Sequence, residues 1–117
     1  MEKLIYKIVD QDEWNAASSA GRYTGSADDL RDGFIHFSTA GQLIGTAAKH
    51  FAGRENLILV GVETESLGDL LKWEASRDDQ LFPHLYGSFA VDQACLVEPL
   101  PLGDDGLHKF PASLNLV

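Results

Sequence analysis

In "LIYKIVD" an extended backbone places Leu4, Tyr6 and Ile8 on one face and Ile5, Lys7 and Val9 on the other, so the stretch predicts a strand. The pattern changes at Asp10. Asp10 and Glu13 have the form of a capping box, Trp14 and Ala17 follow at helical spacing, and Gly21 offers a stop, which predicts a short helix. "RYTGSADDLRDG" keeps no period and is dense in turn formers, so it reads as a loop or an irregular turn. In Phe34 to Thr39, Phe34, His36 and Ser38 would share one face of a strand and Ile35, Phe37 and Thr39 the other. Thr39 and Gln42 then fit a second capping box, and Leu43, Ala47 and Phe51 mark a helix that runs until Gly53. That order predicts a helix N-terminus, with its free N–H groups and positive dipole end, close to the imidazole of His36.

The second half is richer in strands. "NLILVGVE" is an almost continuous apolar run, the mark of a central strand covered on both faces. A turn of helix is expected over Ser66 to Leu70, and "LKWEA" alternates, with Leu71, Trp73 and Ala75 opposite Lys72 and Glu74. In "LFPHLYG", Pro83 and Gly87 frame a rigid turn. "SFAV" predicts a short strand and "ACLVEPL" a longer one ended by Pro99. An Asp105-Gly106 hairpin signal would return Leu107 to Phe110 as an edge strand. The reading is one α+β domain over residues 1–117, mostly antiparallel, with two helices in its N-terminal half.

Composition narrows the partners. The 117 residues carry 18 acidic against 9 basic side chains, a net charge of -9 that repels polyanions and argues against a protein gripping long nucleic acid. No apolar run approaches the roughly 20 residues of a spanning helix, and the first residues lack a signal-peptide pattern, so a cytoplasmic location away from membranes is expected. Cys95, the single cysteine, excludes an internal disulfide and reads as a small buried apolar residue.

The polar residues that sit oddly among apolar ones are His36, Ser38 and Thr39, then Glu74, then His84 and Tyr86. Each has an ordinary explanation. A strand histidine usually makes one satisfied hydrogen bond, a threonine before a helix caps it, Glu74 faces solvent, and a tyrosine in a tight turn covers the core edge. A histidine beside backbone donors is also a means of holding an anion or a ribose hydroxyl. Two histidines and a carboxylate would suit a metal, but no His-x-x-x-His spacing is present, and no glycine-rich nucleotide fingerprint appears.

"YKIVDQDEWNAA", "GFIHFSTAGQL", "LKWE" and "LFPHLYG" together resemble domain of unknown function 952, a bacterial family, over about residues 4–101, leaving 102–117 as a C-terminal tail. Its fold is similar to the ADP-ribosyltransferases and the RNA 2'-phosphotransferases that use NAD, which implies two small sheets around a cleft. His36 and Ser38 resemble the His-x-Ser of the phosphotransferase strand. Lys7 stands where those relatives carry a Tyr-His pair, and Glu74 and His84 compete for the third place. The resemblance implies His36, Glu74 and His84 as catalytic groups and Lys7, Ser38, Thr39 and Tyr86 as ligand-binding ones, with NAD as the cofactor type. The expected function is a nucleotide-binding cleft that transfers or hydrolyses a ribosyl group. The alternatives are a non-catalytic module binding a small molecule or protein in that cleft and, behind it, a metal-dependent hydrolase using His36, His84 and Glu74.

Overall fold

The computed structural model describes residues 3–114, so the outer ends of the expected 1–117 span lie outside the described residues. In chain order the elements are β1 (Leu4–Asp10), α1 (Gln11–Ala20), β2 (Arg22–Tyr23), α2 (Ala27–Asp32), β3 (Ile35–His36), α3 (Leu43–His50), β4 (Leu57–Glu63), β5 (Leu71–Ala75), β6 (Leu81–Leu85), β7 (Phe89–Ala90) and β8 (Ala94–Pro99), with short 3₁₀ turns between several of them. This is an α+β arrangement, and all of its strand pairs are antiparallel. Two small sheets were the expectation. Three form: β1-β4-β8, β2-β7 and β3-β6-β5.

The apolar run of β4 lies at the centre of the first sheet, and all but its last residue are buried. The two faces carry separate cores. Ile5 and Val9 join Trp14, Tyr23, Val60 and Phe89 on one side, whereas Tyr6 and Ile8 join Leu43, Ala47 and Leu59 on the other. Gly61 is where a side chain would not fit, since a Cβ there would meet the Tyr6 ring at 3.2 Å and Leu96 at 3.1 Å. The helix over α1 forms as its caps predict: the Asp10 side chain accepts from the amides of Asp12 and Glu13, and Trp14 and Ala17 face the core. Before α3, the Thr39 amide donates to Gln42 Oε1 at 3.0 Å, the reciprocal arm of the expected box.

Four local expectations are corrected. "RYTGSADDLRDG" is not a loop, because Ser26 and Asp29 form a complete capping box that starts α2, and Arg22 and Tyr23 pair with β7. "FPHLYG" is not a turn, because Leu81 to Leu85 form the middle strand of the third sheet. Pro83 is tolerated there because its side of β6 faces β3, which donates from Phe37 N to Pro83 O at 3.0 Å and at the next residue turns away to pair with β1. Cys95 is exposed, since the β4–β8 register shifts between Gly61 and Val62 and leaves it as the extra residue of a bulge on an edge strand. The tail makes its turn, but only one bridge, Leu102 to His108, stands where an edge strand was expected.

Candidate functional site

The site begins where one strand serves two sheets. Ile35 and His36 pair with Leu85 and His84 of β6, and two residues later Ser38 exchanges both backbone hydrogen bonds with Tyr6 of β1, each 2.8 Å. Alternation sends Ile35 and Phe37 into the core and leaves His36 and Ser38 on the other side. A cleft of about 180 Å³ opens there, walled by β1, β3, β6, α2 and the later turns of α3, with Lys7, Asp29, Asp32, His36, Ser38 and His84 on its surface.

Asp29 ties these elements together. Its Oδ1 accepts from the His36 amide at 3.1 Å and from His36 Nδ1 at 2.6 Å, and its Oδ2 accepts from the Ser26 amide at 2.9 Å. Lys7 Nζ lies 3.2 Å from Oδ2 and donates to the His36 carbonyl at 3.1 Å. Both charged side chains are almost fully enclosed, 8% exposed for Lys7 and 2% for Asp29. Burial alone would push the Asp29 carboxyl up, but the His36 hydrogen bond, the Lys7 charge and the amides of Ser26 and His36 outweigh it and bring it down from 3.8 to about 2. Burial lowers Lys7 from the ordinary lysine range, against the pull of Asp29.

His36 has a second carboxylate neighbour, with Asp32 Oδ2 3.0 Å from Nε2. Beside it across the strand pair is His84, whose Nδ1 is 2.8 Å from Glu74 Oε1, and the same oxygen accepts from the Tyr86 hydroxyl at 2.7 Å. Those hydrogen bonds from His84 and Tyr86 hold Glu74 below the ordinary carboxylate range. Phe34 fixes the rings: it stacks on His84 at 4.1 Å and leans on His36 at 4.6 Å and Tyr86 at 5.2 Å. Ser38 Oγ is 2.9 Å from Thr46 Oγ1, which couples β3 to α3.

Of the residues singled out in the sequence, Lys7, His36, Ser38 and His84 thus meet at the cleft. Glu74 and Tyr86 stand behind His84, outside the cleft lining, and Thr39 belongs to the turn before α3. The expected helix N-terminus beside His36 is displaced by that turn, Ala40–Gln42, and α3 instead presents Thr46 and His50 to the cleft. The metal set His36, His84 and Glu74 does not assemble, since the two imidazoles engage different carboxylates. Among the described residues no group of three His, Cys, Asp or Glu side chains is placed to hold an ion. Asp29, Asp32, Phe34 and Thr46 were missed, although Ser26 followed three residues later by Asp29 carries a capping signature.

Fold and site together define a small α+β chain with an ion-paired cleft where a strand crosses between sheets. It belongs to the DUF952 family, described as "protein of unknown function", whose model matches residues 8–97. The crystal structure of protein CC0527 from Caulobacter crescentus is similar to it at 50% identity, covering 97% of this chain and 99% of that one with a TM-score of 0.91. The solution structure of the same protein matches at 49% identity, 97% and 98% coverage and a TM-score of 0.86. No match is found among curated proteins. Among the described residues no helix is long and apolar enough to cross a membrane.

Proposed function

We propose that the cleft binds a ligand of nucleotide type, of the NAD or ADP-ribose kind, through one ring-sized portion. The observation that carries this is the enclosed Lys7–Asp29 pair, joined to the half-exposed His36, on the wall of an open cleft. Removing charges from water costs several kcal/mol each, and the same fold position filled with apolar residues would cost nothing of the kind. Such a network at a cleft wall is therefore a site candidate rather than a packing device. Size sets the ligand portion. A space of about 180 Å³ is about six waters' worth, enough for one ring-sized group, a pentose or a nicotinamide, and the rest of a dinucleotide would lie outside.

The ADP-ribosyltransferase-like reading is part of this proposal. It is supported by the placement of His36 and Ser38 on the strand beside β1, and Lys7, in place of the Tyr-His pair of those relatives, departs from it. Its chemistry would be departure of nicotinamide with the glycosidic electron pair and bonding of water or an acceptor hydroxyl to the ribose carbon, through an oxocarbenium-like state. One feature favours binding without chemistry: the Asp29 carboxylate already accepts from Lys7, Ser26 and His36, so it is not poised to serve a reacting group.

Titration with NAD, ADP-ribose and nicotinamide, followed by NMR and by melting temperature, tests the proposal. Wild type should respond to at least ADP-ribose, and His36→Ala should lose that response about tenfold. Silence toward all three would end the nucleotide reading. Nicotinamide set free on incubation with NAD separates catalysis from binding alone.

A further inference from the structure

His36 and His84 stand side by side on one wall, but their hydrogen-bond surroundings differ. Both ring nitrogens of His36 face carboxylates, Asp29 at 2.6 Å and Asp32 at 3.0 Å, so both are already engaged by the protein. His84 meets one carboxylate, through Nδ1 only. Glu74 lies outside the cleft lining and His84 within it, so the carboxylate at Nδ1 does not itself face the cleft, and the ring edge with Nε2 engages no carboxylate among the described residues. His84 is 5% exposed and stacked on Phe34 at 25°, which fixes the plane in which that edge points.

We propose that His84 is the proton acceptor of the cleft and that Glu74 and Tyr86 are positioning residues that never touch the ligand. A carboxylate oxygen facing Nδ1 accepts a hydrogen bond from it and keeps the proton there, so the lone pair is on Nε2. The Tyr86 hydroxyl, donating to the same Oε1, orients the carboxylate. Lys72, directly opposite His84 on β5, is the cation nearest in register on that face. The assignment deepens the ligand reading above and rests on it for one point: the ligand group facing His84 carries a hydroxyl. In the transfer, the oxygen of that hydroxyl bonds to the ribose carbon as nicotinamide leaves with the glycosidic electron pair, its O–H bond breaks, an Nε2–H bond forms, and Glu74 balances the imidazolium charge. His36, held between carboxylates, orients the site and takes no proton from the ligand.

The test is the protonation pattern of His84 in long-range proton–nitrogen NMR spectra of the unliganded protein near neutral pH. Nδ1 should carry the proton and Nε2 should be bare. Glu74→Ala, at a half-exposed position that does not threaten folding, should convert a nearly single tautomer into a mixture, and Glu74→Gln, which keeps an acceptor oxygen, should restore it. A proton on Nε2 in wild type, or a pattern unchanged by Glu74→Ala, overturns the assignment. Adding ADP-ribose should move the His84 Nε2 signal, and binding that leaves it unmoved overturns the acceptor role. A bare Nε2 with no binding supports the tautomer and defeats only the nucleotide reading.

Discussion

Lys7 is the least expected residue of β1, since it lies between Ile5 and Val9 on a core face and yet carries a charge. Asp29 is what makes this affordable. Removing one partner of an enclosed pair strands the other, at about 3–5 kcal/mol, whereas replacing both with apolar groups of similar volume is often neutral. Asp29→Ala is therefore expected to cost about 3–5 kcal/mol in urea unfolding, because Lys7 keeps the His36 carbonyl but loses the carboxylate it is paired with. Lys7→Met should cost less, since His36 and the Ser26 amide still serve Asp29. The double variant Lys7→Met with Asp29→Leu should lose less than the sum of the single changes, and strict additivity would show that the pair does not act as a unit.

At the scale of elements, α2 is held by polar rather than apolar contacts. It has six residues, its one large apolar side chain, Leu30, is exposed, and its only buried residue is Asp29. A helix so short does not stand alone in water, so its stability comes from the cap and from the ties Asp29 makes. Ser26→Ala should cost about 1 kcal/mol as a lost cap. Gly25→Ala should cost more: Gly25 sits at φ +113°, where an L side chain is strained, and its Cβ would come within 2.9 Å of Asp29 Cβ. Melting temperatures of the two variants check the order, and the His36 resonances should shift in Gly25→Ala. Equal losses with His36 unmoved would mean that the cap alone holds the element. The same physics decides what could be read from the chain. β1 and α3 were legible from their own period, α1 from its period and its caps, and β4 from an apolar run covered on both faces. α2 was not, because an apolar stripe is the usual helix signal and Leu30 alone makes none. The strand β6 was hidden by Pro83, whose place is explained only by a partner strand that leaves it. His36, Ser38 and His84 stood out as polar residues among apolar ones, whereas Asp29 was one acid in a run of acids with Asp28 and Asp32.

Across the whole molecule, Asp29 joins β1, α2 and β3, so its ionisation bears on more than one sheet. A carboxyl whose folded value lies below its unfolded value contributes stability that is complete above the unfolded value and is lost as pH falls through the folded one. For Asp29 that window runs from 3.8 down to about 2, and the shift corresponds to about 2 kcal/mol. The net charge of -9 falls as the other carboxylates protonate over the same range, so the acid unfolding of wild type alone mixes many groups. Comparison with Asp29→Asn cancels most of them. The stability gap between the two proteins, measured by urea unfolding at several pH values, should be constant from pH 6 to about 5. It should then narrow by about 2 kcal/mol as pH is lowered to about 2, because only wild type still has this proton to take up. A gap that stays constant down to that pH would mean that Asp29 is no more acidic folded than unfolded. The hydrogen bonds from His36 and Ser26 and the charge of Lys7 would then only offset the cost of burying the carboxylate, without stabilising it further.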